Sequence, residues 1–274
     1  MRPEQRAKRD AFLGRIGSRP LIMGILNVTP DSFSDGGRFI AADAAIAHAR
    51  RMIAEGCDIV DVGAESTRPG ATPVAAEEEL ARLAPVLSAL AALDAPLSVD
   101  TSKATVAARA LAQGAVIIND VWGLQRDPDI AGVVAQGEAA VIVMHNRAEK
   151  DETLDIVADI RRAFNHSLAI AASAGIPRER IILDAGIGFG KTSRQNRDAI
   201  VRLGELKDYG LPILVGASRK KFLGALTGDG SEATLAGTIA VSLAAVMAGA
   251  SIVRVHDVAE HAAALKAFHA LRGG

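Results

Sequence analysis

The sequence predicts an α/β protein folded as a single (β/α)8 barrel, with its chemistry gathered at the C-terminal ends of the strands. Three observations carry that prediction. Eight short apolar runs recur along the 274 residues. Most are preceded by a glycine that closes an alanine-rich helical stretch. Between them lie amphipathic segments long enough to cross back over a parallel sheet.

The predicted strands fall in order at Leu21–Leu26, Asp58–Val62, Leu97–Val99, Ala115–Ile118, Ala140–Met144, Arg180–Leu183, Ile213–Val215 and Ser251–Val253. Their runs of Val and Ile without alternation suit strands covered on both faces. Gly56, Gly114, Gly137, Gly210 and Gly249 each stand just before such a run, where a left-handed residue past a helix end is predicted. The intervening helices include Ala42–Glu55, Ala76–Leu90, Leu154–Ala174 and Leu235–Ala248. Eight such units in this length suggest closure into a TIM barrel over residues 19–274, after an N-terminal extension at 1–18. An open doubly wound sheet is the alternative, because periodicity does not show closure. Its dinucleotide signature is missing: Gly186-Ile187-Gly188-Phe189-Gly190-Lys191 has neither the Rossmann nor the P-loop spacing.

Composition narrows the function. Hydrophobic residues make up 49% of the chain, enough for an ample core. Lys and Arg number 31 against 32 Asp and Glu, so no basic field exists to attract nucleic acid or an anionic membrane. An anionic ligand must be met locally. The lone Cys57 has no disulfide partner or metal-ligand spacing, and a reducing cytoplasm suits it. The N-terminus lacks the apolar core of a secretory signal. Thr238–Val255, the most membrane-like stretch, is interrupted by Ser242, Gly249, Ser251 and Arg254 and reads as helix, turn and buried strand.

In a barrel of this kind the residue ending each strand is the one to inspect. Here those residues are Asn27, Asp61, Asp100, Asn119 with Asp120, His145, Asp184, Ser218 to Lys220, and Arg254 with His256. Any one of them alone reads as a helix cap or a bonded strand end. As a set they look bipolar: Asp100, Asn119 and Asp184 suit a flat, nitrogen-rich heterocycle, and Arg254 with His256 suits an anion. Two loops, Asn27–Arg38 and Glu65–Val74, exceed what a strand-to-helix link needs and mix Gly or Pro with hydroxyls and charges.

At these positions the sequence resembles the dihydropteroate synthase family. The resemblance rests on GILNVTPDSFSDGG at Gly24–Gly37, ESTRPG at Glu65–Gly70, VDTSK at Val99–Lys103 and IND at Ile118–Asp120. LDAGIGFGK at Leu183–Lys191, GASRK at Gly216–Lys220 and RVHD at Arg254–Asp257 complete it. It implies a folate-pathway transferase that joins 6-hydroxymethyl-7,8-dihydropterin pyrophosphate to p-aminobenzoate. By that resemblance Asp100, Asn119, Asp184 and Lys220 serve the pterin, and Asn27, Thr67, Arg254 and His256 the pyrophosphate. Arg68, Pro69, Phe189 and Ser218 border p-aminobenzoate. Asn27 meets a Mg²⁺ ion, and Asp35, Lys220 and Arg254 carry catalysis. A homodimer is also implied. Two departures stand out: Ala185 replaces the family's usual proline, and Asn146-Arg147 follows the Met-His pair in place of the family's tail.

Displacing pyrophosphate beside a dihydropterin ring needs help chiefly for the leaving group, because the ring donates electrons into the developing cation. No Ser-His-Asp set, catalytic carboxylate pair or His/Cys zinc cluster is needed, and none is legible. His48, His166, His261 and His269 fall in predicted helices and read as packed or solvent-facing residues. Two alternatives remain open at this point: a pterin-binding methyltransferase that uses methyltetrahydrofolate, and a catalytically silent pterin-binding homologue.

Overall fold

The structure, a computed structural model, describes residues 1–28, 38–65, 72–227 and 234–271. Eight parallel strands close into one barrel in sequential order: β1 (Leu21–Asn27), β2 (Ile59–Gly63), β3 (Leu97–Asp100), β4 (Ile117–Asp120), β5 (Ala140–Met144), β6 (Ile181–Asp184), β7 (Ile213–Val215) and β8 (Ile252–Val255). The last strand returns to the first, Leu21 pairing Ile252 and Met23 pairing Arg254, which removes every sheet edge and rules out the open alternative. The strands sit within two residues of their predicted positions. β4 shows the largest shift, because Asn119 and Asp120 remain in the ladder, Asn119 paired with Ile142 and Asp120 with Val143.

Outside the strands run α2 (Arg38–Ala54), α3 (Ala76–Ala91), α4 (Ala104–Ala112), α5 (Ile130–Gln136), α6 (Ile156–Ser173), α7 (Ser193–Val201), α8 (Phe222–Thr227), α9 (Leu235–Ala248) and α10 (Val258–Leu271). Local chemistry fixes several starts: the Asp155 carboxylate accepts from Ala158 N at the head of α6, and Thr192 with Gln195 forms a capping box on α7. Four of the five glycines before strands take positive φ as predicted. Gly137 does not. It keeps φ −72, and Glu138 takes the left-handed step at φ 54. A Cβ at Gly137 would press into Leu111 Cδ1, so this glycine is there for space.

Two apolar layers result. Outward-facing side chains of the strands pack against the helices, and Cys57 is buried among them, its thiol pushed up to about 12 by burial. Inside the barrel lies a second cluster built from Leu21, Met23, Ile59, Ile117, Ile142, Ile182, Leu214 and Ile252. Its floor is Phe12 of α1 (Pro3–Arg15), which crosses the N-terminal mouth. Arg15 and Arg19 both ion-pair with buried Asp58, Arg19 at 2.7 Å, and Asp58 also accepts from Ile22 N at 2.9 Å, tying that helix to the entry of β1. Among the described residues no helix is long and apolar enough to cross a membrane, and Thr238–Val255 divides into α9 and β8.

Candidate active site

Strand parity builds the site. Successive side chains of a strand face opposite sides, so a residue two positions beyond an inward isoleucine also points inward. Asp61 follows Ile59 in this way, Asn119 follows Ile117, Asp184 follows Ile182 and Arg254 follows Ile252. Pairing brings them level: Asp61 lies beside Ser98, and Asp100 beside Asn119. The apolar filling of the lower barrel therefore gives way, at one height, to a ring of buried polar groups.

Asp61 is the hub of that ring and is fully buried. Its Oδ1 accepts from Ser98 Oγ at 2.6 Å, and its Oδ2 accepts from Arg254 Nε at 2.7 Å and Asn119 Nδ2 at 3.1 Å. Because a carboxylate takes protons only, the Asn119 amide is fixed with its nitrogen toward Asp61 and its oxygen away. Arg254 spans the barrel, its Nη2 donating to Asp100 Oδ2 at 2.9 Å. Two acceptors remain: Asp100 Oδ1 and Asn119 Oδ1 are buried and meet no donor among the described residues. Such groups cost roughly 1–3 kcal/mol each when left unsatisfied, so the ring is arranged for a ligand that brings N–H donors.

The opposite wall donates. Lys220 Nζ bonds the carbonyl of Ile187 and sits 4.3 Å from the centre of the Phe189 ring. Burial pushes its ammonium down to about 7, against the pull of Asp184. Asp184 Oδ1 accepts from Gly186 N at 2.7 Å, and burial raises its carboxyl despite that bond. Burial likewise raises Asp100, with Arg254 opposing, while Asp61 and Asp100 hold Arg254 above its ordinary value against its own desolvation. The C-terminal end of the barrel thus presents acceptors on three strands and one amine near them, the pattern that a fused heterocycle with both ring N–H groups and a carbonyl can complete.

A groove opens at the rim. His256 N and Nδ1 contact Ser218 Oγ at 3.2 and 3.0 Å. His256 and Asn27 line a groove of about 470 Å³ between α2 and the start of α10, with His48, Arg51, Arg219 and Asp257. Arg219 is ion-paired to Asp257 in this groove.

Of the residues predicted from sequence, the structure brings Asp100, Asn119, Asp184, Lys220, Phe189 and Arg254 together at the C-terminal end of the barrel and sets Ser218 beside His256, which shares a groove with Asn27. Asp35, Thr67, Arg68 and Pro69 lie outside the described residues. Arg254, read from sequence as an anion's partner, is bonded to two carboxylates. The departure at Ala185 leaves the Asp184 turn pinned by Gly186 N. Arg147 of the second departure ion-pairs with Asp159 at 3.3 Å and donates to Gln195 Oε1 at 3.2 Å.

Asp61 is legible in the sequence only as a strand end, and strand parity is the signal that turns it inward. Glu65 and Glu79 bind Lys103, Glu79 at 2.5 Å, and Glu65 Oε1 also accepts from Val74 N at 3.2 Å, bracketing the loop after β2. Nothing in the local pattern marks that trio. Among the described residues no group of three His, Cys, Asp or Glu side chains is arranged to hold a metal.

Comparison with known proteins agrees with this geometry. A family described as pterin binding enzyme matches residues 23–256. The dihydropteroate synthase of Clostridium beijerinckii is 46% identical over 92% of this chain and 94% of its own. A solved dihydropteroate synthase from Clostridium difficile, in the presence of pteroic acid, superposes with a TM-score of 0.89 at 47% identity, covering 93% of this chain and 98% of that one. A Xanthomonas albilineans dihydropteroate synthase with 4-aminobenzoic acid gives 0.87 at 43% identity, over 93% and 94%.

Proposed function

Because the chain belongs to the family of pterin-binding enzymes, we propose that it catalyses dihydropteroate synthesis, condensing 6-hydroxymethyl-7,8-dihydropterin pyrophosphate with p-aminobenzoate to give 7,8-dihydropteroate and pyrophosphate. The observation that carries this reading is the pair of unsatisfied buried acceptors, Asp100 Oδ1 and Asn119 Oδ1, inside a barrel whose other wall offers the Lys220 amine. A pterin fills that pattern. Its amino group and ring N–H groups donate to Asp100, Asn119 and Asp184, and its carbonyl and ring nitrogen accept from Lys220.

With the ring so held, the methylene carbon faces the rim. The C–O bond to pyrophosphate breaks, the ring nitrogen lone pair stabilises the cation, and the arylamine nitrogen forms the new C–N bond and then sheds a proton. The amine is neutral at pH 7 and needs no strong base. The protein contributes position, worth several kcal/mol in such reactions, and fixed charge where the leaving group departs. Arg254, His256 and Thr67 meet the pyrophosphate. The ion pairs of Arg254 with Asp61 and Asp100 support a position for its cation between the pterin and anion subsites. Phe189, Ser218, Arg68 and Pro69 border p-aminobenzoate, and Asp35 stabilises the cation formed as pyrophosphate leaves.

Mg²⁺ fits this rim in one particular way. Asn27 offers a neutral oxygen at the end of β1, exposed on the groove it shares with His256. Mg²⁺ favours one or two protein oxygens together with substrate phosphates and water, so Asn27 would hold an ion brought largely by pyrophosphate. When bound, it would supply further neutralisation of the leaving group's charge.

The enzyme acts in the cytoplasm, as a homodimer. Val201 at the end of α7 (73% exposed) and Leu235 and Met247 on α9 (40% and 65%) support pairing through that adjoining surface. Sedimentation should give twice the monomer mass. The activity is tested by pyrophosphate release from the pterin pyrophosphate: it should require p-aminobenzoate and match dihydropteroate formed. Methyl transfer to a corrinoid acceptor, or no turnover at all, would overturn the reading.

A further inference from the structure

Lys191 has no part in the chemistry above, yet it is only 2% exposed and its hydrogen-bond partners are neutral acceptors. Its Nζ lies 2.7 Å from Gly186 O, 3.1 Å from Phe189 O and 2.7 Å from His145 Nδ1, with His145 O at a longer 3.4 Å. Burial lowers the Lys191 pKa well below that of a free lysine, against the pull of Asp184, and the three short contacts match the three protons of its ammonium form. His145 must then accept at Nδ1, which fixes its proton on Nε2, and that nitrogen faces Asp159 Oδ2 at 3.0 Å. The imidazole is therefore neutral, in keeping with burial that pushes its pKa down to about 4. Asp159 is held in turn by Arg147 and Arg162.

This chain of contacts joins two loops, the one after β5 and the one after β6. They touch so closely that a Cβ on Gly186, whose φ is +63, would collide with the His145 carbonyl oxygen. Each fixed point of the second loop carries a residue of the pterin site. Gly186 N holds Asp184, Ile187 O holds Lys220 Nζ, and the Phe189 ring lies beside the same amine. Among the described residues no carboxylate contacts this buried amine, and an apolar side chain of similar length would avoid the desolvation cost that lowers its pKa.

We propose that Lys191 is a positioning residue of the pterin site: through Gly186 O and Phe189 O, and braced by neutral His145, it locks the turn that aims Asp184 and Lys220. The proposal rests on the pterin reading of this cavity. Loosening the turn admits water to Lys220, which is faced by Asp184, Asp100 and Arg254 and owes its lowered pKa first to desolvation.

The test uses calorimetric titration of the full chain with 6-hydroxymethylpterin, which carries no phosphate. Lys191→Met should remain folded by circular dichroism, weaken binding by roughly tenfold or more, and move the alkaline limb of binding from near pH 7 upward by about one unit. A role confined to stability would lower the unfolding temperature and leave that limb in place. His145→Asn keeps an acceptor near the Nδ1 position and should bind within about threefold of the parent, whereas His145→Ala should behave like Lys191→Met. If Lys191→Met does not fold, this histidine pair decides. Parent-like affinity and pH profile in Lys191→Met, or equal binding by the two His145 variants, would overturn the proposal. A parent protein that binds no pterin would overturn the functional reading and this inference with it.

Discussion

The lower and upper halves of the barrel use the same strands and the same inward parity, yet they are built from opposite chemistries. Below, Leu21, Ile59, Ile117, Ile182 and Ile252 fill the interior, and Phe12 closes it. One step up the same strands, Asp61, Asn119, Asp184 and Arg254 occupy the equivalent inward positions. The lower layer lowers free energy by removing apolar surface from water. The upper layer contains buried acceptors with no partner among the described residues and titratable groups shifted by burial. Stability and recognition are thus stacked along one axis, and each should be open to damage without the other.

The largest separation is expected from Phe12→Ala. Truncating a fully packed phenylalanine costs about 3–5 kcal/mol. Urea unfolding should show that loss, while pterin affinity of the folded fraction stays unchanged. A matching loss of affinity would mean that the floor of the barrel shapes the site.

Asp184→Ala attacks the upper layer instead. Charge-assisted bonds to a buried ligand are worth roughly 1.5–3 kcal/mol each, so pterin affinity should fall by one to two orders of magnitude, with Asp184→Asn hurting less. Calorimetry checks this, and unchanged affinity in the alanine variant would remove Asp184 from the pocket.

The two halves also differ in legibility. Asp100, Asn119 and Asp184 stood out because each ends an apolar run, so type and position were visible together. Asp61 ends a run too, but its role depends on Ser98, Asn119 and Arg254, which lie 37, 58 and 193 residues away in the chain, and only closure of the barrel brings them together. The same holds for Lys191, whose glycine-rich surroundings carry no phosphate-loop spacing and whose partner His145 lies 46 residues away. Parity was legible; partners were not. Residues 1–18, an extension in the sequence reading, contain the helix that supplies Phe12, because a single short amphipathic segment does not announce what it covers. The methyltransferase and silent-homologue alternatives lose ground to relatives that are dihydropteroate synthases over nearly the whole chain.

Smaller effects refine the contrast within the upper half. Burial places the Lys220 ammonium near pH 7, so its charge is present below that value and lost as pH rises through it. Pterin affinity should therefore fall by roughly fivefold to tenfold between about pH 6 and 8.5, the difference between a charged and a neutral donor. A flat profile across that range would show either that Lys220 donates equally well without its charge or that ionisation of Asp100, raised to about 8 by burial, offsets the loss. Ser218→Ala removes only the hydroxyl beside His256. A loss of about 0.5–1.5 kcal/mol is expected for the pterin pyrophosphate, and none for a pterin without phosphates. Equal losses for both ligands would merge the rim with the pterin subsite.

The central claim is that the unpartnered acceptors of the upper layer are the pterin's binding groups. A crystal structure of the protein with 6-hydroxymethylpterin tests it most directly. The account predicts ring or amino nitrogens at ordinary hydrogen-bond distance from Asp100 Oδ1 and Asn119 Oδ1, with Lys220 reaching the opposite edge. A pterin bound elsewhere, with water satisfying those two oxygens, would contradict it.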